Sequence, residues 1–131
     1  MDGMEHVGIV GTGLAGVRAA AELRAAGFTG KLTAWDAEDR EPYDRPPLTK
    51  SLFGERVRPL ASQGLGDLAG LGVRVVPEAA ASVEFSPSGA LRVSGVAVDA
   101  AILATGAAPH RKMPGAHVVY TSDDAARLAA A

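Results

Sequence analysis

A chain of 131 residues is long enough for one domain that buries about two-thirds of the surface its unfolded form exposes. Thirteen Lys and Arg against fifteen Asp and Glu leave a formal charge of −2, so there is no basic field to gather phosphate backbones, and nucleic acid is excluded as an expected partner. Cysteine is absent, which removes disulfides, thiolate metal sites and dithiol relays, and the 47% of apolar residues contain no run near the roughly eighteen that a membrane span needs.

The opening "MDGMEH" carries acids where a secretory signal has a basic region, so the expected compartment is the cytoplasm. Val7 to Val10 then reads as a short apolar strand. Gly11, Gly13 and Gly16 fit G-x-G-x-x-G directly after that strand and at the opening of a helix. The first glycine serves the tight turn, the second lets the backbone approach a pyrophosphate, and the third brings helix and strand together. Thr12, Leu14 and Ala15 complete the turn, whose free amides and helix dipole face a diphosphate. Ala15, Ala19, Ala20 and Ala21 let the helix lie close to a sheet, and Gly27 ends it.

Lys31 to Trp35 is the second strand. The fingerprint predicts a ribose-binding acid about twenty residues after the third glycine, at the end of this strand. Asp36 stands there, with Glu38 as a close alternative in "DAEDRE". No arginine occupies the Asp36 position, so a 2′-phosphate is not favoured, but the fingerprint alone leaves NAD and FAD both open.

The stretch "EPYDRPPLTK" follows. Its paired prolines are expected to hold Arg45 and Pro46 extended and to delay any helix, giving a rigid loop at the carboxyl edge of the sheet. Arg45 offers a planar fork to phosphate and Lys50 a point charge; the alternative is a stiffened surface loop with two solvated cations. The glycine cluster from Gly64 to Gly72 follows no strand and is read as loop. Val73 to Val76 is the third strand.

"ASVEFSP", "ALRVSG" and "VAVD" alternate in polarity and turn at Pro87-Ser88-Gly89 and Ser94-Gly95, the pattern of an antiparallel β-meander inserted as a crossover. Ala100 to Gly106 is the fourth buried strand. The tail gives a short strand in "HVVY" and a helix capped by Thr121 or Ser122, with Asp123 and Asp124 in its first turn. The expected fold class is therefore α/β: one domain over residues 1–131, a Rossmann-like parallel sheet flanked by helices and carrying the meander.

His6, His110 and His117 show no ligand spacing, so no metal site is expected. His110 and Arg111 follow the fourth strand, where they are read as surface groups with phosphate contact as the alternative. Trp35 and Tyr43 are read as packing aromatics, against a place beside the adenine or the cofactor's ring.

Three segments in order, "GTGLAGVRAAAELRAAG", "PYDRPPLTK" and "AILATGAAP", resemble the FAD half of the ferredoxin reductase flavoproteins, the group of putidaredoxin, rubredoxin and aromatic-dioxygenase ferredoxin reductases, with apoptosis-inducing factor as a relative. The resemblance runs from Val7 to about Leu128 and implies FAD held by an incomplete glutathione reductase-type domain. It implies that Arg45, Pro46 and Lys50 lie along the diphosphate and ring, with Lys50 the candidate catalytic group nearest the ring. It also implies that Ala104, Thr105 and Gly106 pass close to the cofactor, and that backbone near Ala81 meets the adenine.

Departures accompany the likeness. Family members continue into an NADH-binding domain, return with a G-D motif beneath the ring, and add a C-terminal domain; none of these is found in the sequence. The glycine usual after the second strand is Asp36, the arginine often seen after A-T-G-A is Ala108, and the segment after Lys50 is short. The expectation is an FAD-binding protein whose redox role requires a partner chain or a second copy, associating as a homodimer or heteromer through an unpaired sheet edge. Two alternatives stay open: a non-redox interaction module that kept the fold, and a non-redox enzyme using Lys50 or an acid of the Asp36 to Glu41 run as proton carrier.

Overall fold

The computed structural model describes residues 3–65, 67–110 and 113–131. Four short apolar runs form a parallel sheet: β1 (His6–Val10), β2 (Lys31–Trp35), β5 (Val73–Val76) and β9 (Ala100–Leu103), in the order β5-β2-β1-β9. The two central strands, β1 and β2, are buried on both faces over most of their length, whereas the flanking β5 and β9 are largely half-buried or exposed, with Val75 and Leu103 open to solvent. Val7, Ile9, Leu32, Ala34 and Val73 face α1 (Leu14–Ala25) and pack with its Val17 and Ala20 and with Leu60 and Leu68. Val10 and Trp35 face the other way and pack beneath the meander on Val93 and Val98.

The meander is β6 (Val83–Phe85), β7 (Leu91–Val93) and β8 (Val96–Val98), antiparallel throughout. Its turns lie where Gly89 and Ser94-Gly95 predicted, all three residues having positive φ. Helix α1 ends in a Schellman arrangement: the Phe28 amide donates to the Leu23 carbonyl at 2.9 Å, the Gly27 amide to that of Arg24 at 3.0 Å, and Gly27 takes φ +88°.

The proline segment differs from its expectation. Pro46 has helical angles (φ −54°, ψ −38°) and α2 (Pro47–Lys50) starts at once. Proline at the first helical position forfeits no needed N–H and arrives with φ already set, so the pair nucleates the turn it was expected to delay. Tyr43–Asp44 (β3) and Arg58–Pro59 (β4) form a two-residue antiparallel ladder that fastens this segment, and a 3₁₀ turn over Leu60–Gln63 follows.

Two further expectations are corrected. The fourth strand ends at Leu103, short of Gly106, and "HVVY" is not a strand. A strand exists only through a neighbour. Val119 packs instead on a small cluster of Tyr43, Leu48 and Ala125, while the outer edge of β9 has no ladder partner among the described residues.

Helix α3 (Ser122–Ala130) carries the predicted cap at Thr121. The Asp124 amide donates to Thr121 Oγ1 at 3.2 Å, and Asp124 Oδ2 accepts from the Thr121 amide at 2.9 Å and the Tyr120 amide at 3.1 Å. The Thr121 amide bond is the main cause that draws the Asp124 carboxyl down from 3.8 to about 2. A carboxyl whose folded value is depressed stabilises above its unfolded value and loses that contribution as pH falls. D124N is therefore expected to lower the melting temperature at neutral pH, and thermal melts between pH 3.8 and about 2 should show the gap to wild type closing.

Candidate functional site

The glycine turn after β1 is built from two glycines that the fold needs and one that it does not. Gly11 takes φ +106°, and a Cβ there would stand 2.2 Å from the Ala104 carbonyl oxygen. At Gly16 it would stand 2.0 Å from the Gly11 carbonyl oxygen. Both positions are closed by backbone. Gly13, by contrast, has an ordinary φ of −68°, and a Cβ there would meet nothing within 4 Å. It is the N-cap of α1, no side chain caps the helix, and its first turn holds no acid. The leading amides and positive dipole end thus face open space beside a glycine, the donor set and clearance that a diphosphate requires.

Neighbouring segments converge on this corner. The Gly11 amide donates to the Trp35 carbonyl at 3.0 Å, which places the exit of β2 beside the turn. The Ala104 amide donates to the Val10 carbonyl at 2.8 Å, and the Thr105 Cα lies 3.4 Å from where a Cβ on Gly11 would be. Ala104 and Thr105 are therefore against the turn, and Gly106, at φ +68°, carries the chain toward the Tyr120 hydroxyl.

The acids and cations are less free than their spacing suggested. Asp36 is buried, its Oδ1 accepting from the Glu38 amide and its Oδ2 from the Arg40 amide, each at 3.1 Å. It braces the loop that leaves β2. Glu38 Oε1 pairs with Arg45 Nη2 at 2.5 Å, and Glu38 Oε2 accepts from the Tyr43 hydroxyl at 2.6 Å. Arg45 Nη1 also donates to the Tyr43 hydroxyl at 3.3 Å and to the Tyr120 carbonyl. Its guanidinium carbon lies 5.4 Å from the centre of the Tyr43 ring and 4.5 Å from that of Tyr120. The Ser122 amide completes the cluster by donating to the Tyr43 hydroxyl at 3.0 Å.

Burial, and after it the bond to Glu38, raises the Tyr43 hydroxyl above 10.0. For Arg45 burial acts to lower the value, and the Glu38 bond with the nearby charges outweighs it, so the group is held still more firmly protonated. Lys50 ends α2 with an exposed side chain and makes no salt bridge among the described residues. The Ala81 amide, in the backbone expected near the adenine, donates instead to Ser94 Oγ at 2.8 Å. Trp35 is buried beneath the meander and Tyr43 wedges the proline loop. His110 is exposed, and Arg111 lies outside the described residues.

Sequence reasoning missed Tyr120, just ahead of α3, and Ser122, its first residue, which bond to Arg45 and Tyr43. No spacing rule marks them, since their role arises only when residues far apart in sequence meet. Among the described residues no group of three His, Asp or Glu is placed to hold a metal, and no helix is long and apolar enough to cross a membrane.

Residues 5–131 match the family model for pyridine nucleotide-disulphide oxidoreductases. The chain belongs to that family. It is 31% identical over 134 residues to the ferredoxin reductase component of chlorobenzene dioxygenase from Cupriavidus sp. (strain PS12), covering 91% of this chain and 32% of that protein. Rhodocoxin reductase from Rhodococcus erythropolis is 32% identical, with 92% and 31% covered. Among solved structures, that of Fdr9 superposes with a TM-score of 0.77 at 37% identity, over 97% of this chain and 33% of that one. The putidaredoxin reductase of a covalent putidaredoxin complex gives 0.70 at 27%, over 96% and 34%. The chain thus spans about a third of the length of these relatives. Its likeness to the ferredoxin reductases and its glutathione reductase-type fold agree with the reading of the three motifs.

Proposed function

We propose that this chain binds FAD through the adenosine and diphosphate half of the cofactor and contributes that half-site to a ferredoxin reductase-type redox protein. The observation that carries the reading is the clearance at Gly13: an uncapped helix N-terminus with room for a ligand, next to the A-T-G backbone. FAD, when bound, supplies hydride and electron transfer at its ring. The chain's own part is to hold and orient. The amides of Leu14, Ala15 and Gly16 take the diphosphate, with Thr12 in the turn, while Glu38 or Asp36 faces the ribose and the backbone near Ala81 borders the adenine. Arg45, Pro46 and Lys50 run along the diphosphate and ring, and Ala104, Thr105 and Gly106 close the near wall. The nicotinamide site and the floor of the ring are assigned to other residues, supplied by a partner chain or a second copy joined at the outer edge of β9, which has no ladder partner among the described residues.

A second reading has its own support. Arg45 is tied to Glu38 and the Ala81 amide to Ser94, as in a module that kept the fold without the flavin. One preparation separates the two. The purified protein should show flavin absorption bands in the visible, release FAD on denaturation, and elute from a sizing column above its monomer mass. A colourless protein that takes up no added FAD establishes the non-redox reading, and a monomer that retains flavin removes the association at β9.

A further inference from the structure

The turn after α2 treats two neighbouring apolar residues in opposite ways. Leu52 packs on the cluster of Tyr43, Leu48 and Ala125, while Phe53 is 84% exposed, more than any other large apolar side chain among the described residues. Val57, a few residues on, is 41% exposed. The exposure belongs to an ordered turn. The Gly54 amide donates to the Ser51 carbonyl and the Arg56 amide to that of Gly54, each at 2.9 Å, and Arg56 Nη1 donates to the Leu52 carbonyl at 3.0 Å. Phe53 and Val57 adjoin the two ends of that last bond, and the β3–β4 ladder fixes the chain beyond it at Arg58 and Pro59.

Charge is distributed as unevenly as burial. Lys50, Arg56 and Arg58 stand with one acid, Glu55, and none of the four takes part in a salt bridge among the described residues. Asp44, the ladder neighbour of Arg58, is half-buried and pairs with none of them. With those four set aside, the thirteen cations and fifteen acids of the chain become ten and fourteen, so an acidic molecule carries one short cationic stretch. Aromatic and arginine side chains are the groups that anchor protein interfaces, and a basic rim selects an acidic partner and quickens the encounter.

We propose that Phe53, Arg56, Val57 and Arg58 form a docking face for a second protein, one whose own surface sets an apolar contact within an acidic rim. The face is independent of the flavin reading, and it serves equally a module that has lost its cofactor. Leu52 anchors the turn from below, and Phe53 enters the partner.

The test uses the whole chain, labelled with nitrogen-15 and titrated with a probe peptide of six glutamates around two central leucines. At low salt the amide shifts should concentrate on residues 50–58, and they should fade as salt is added. F53S should weaken the peptide about tenfold and R58E by a similar factor, each without a change in melting temperature, because both side chains are exposed. R58E gives the reading alone if F53S does not fold. The same peptide with glutamines for its glutamates should not bind. Shifts centred elsewhere, an absence of binding, or binding untouched by both variants overturns the proposal, the last because it leaves only diffuse attraction of charge. Two rival occupants overturn it as well: wild type that ignores the peptide but sediments with phosphatidylserine vesicles, where F53S does not, marks a lipid surface, and a concentration-dependent dimer lost in F53S marks a second copy.

Discussion

Replacing Gly13 with leucine is expected to abolish FAD uptake while leaving the fold standing. The reason lies in what surrounds each glycine of the turn. At position 13 a side chain meets nothing of the protein and needs no unusual backbone, so the structural effect is that of a poorer helix cap, about 1 kcal/mol. The same side chain fills the open space beside the helix amides, the space the proposed diphosphate site requires. Losing two charge-assisted bonds there removes about 3 kcal/mol of binding, or roughly 100-fold in affinity. Gly16→Ala is expected to behave in the opposite sense: its methyl would lie 2.0 Å from a carbonyl oxygen, and the displacement of α1 from β1 should lower stability by about 3 kcal/mol. Flavin retained after gel filtration, read beside urea denaturation of each variant, checks both. A Gly13→Leu protein that keeps its flavin would remove the turn from the site.

Much of this was legible because local signals agreed with the global fold. The glycine spacing, the apolar strands and the Gly89 and Ser94-Gly95 turns each have one inexpensive solution, and the chain adopts it. The errors came where local rules compete. Pro46 and Pro47 suit an extended loop and a helix start equally, and only the β3–β4 ladder with the packing of Leu48 decides for the helix. "HVVY" has strand propensity but no neighbouring strand, so packing on Tyr43 prevails. The site charges were the least legible. Spacing placed Asp36, Glu38 and Arg45 near a nucleotide but said nothing of their mutual bonds, and those depend on Tyr43, Tyr120 and the backbone of residues 36–40.

Arg24→Met should produce the largest loss of stability remote from the cofactor corner, about 3 kcal/mol, without changing flavin affinity. From the last turn of α1 its Nε donates to the Leu71 carbonyl at 2.8 Å, while Nη1 donates to the Phe28 carbonyl at 2.7 Å and the Gly30 carbonyl at 2.8 Å. Its guanidinium carbon also lies 5.7 Å from the centre of the buried Phe28 ring. These carbonyls stand where the chain turns into β2 and β5, so one side chain ties the end of α1 to the entry of two strands. Methionine matches much of the apolar stem but leaves three part-buried acceptors without a donor, and each such loss is worth about 1 kcal/mol or more. Arg24→Lys should recover less than half, because a single ammonium does not reproduce the fork that reaches both turns. Equilibrium urea unfolding measures the change, and flavin titration supplies the control. Arg24 acts at the amino end of the strands and Gly13 at the carboxyl end, so the two substitutions should separate cleanly: one lowers the unfolding midpoint and spares binding, the other spares the midpoint and removes binding. A common loss of both properties in either variant would mean that the cradle is not preformed by the sheet but assembled with its ligand.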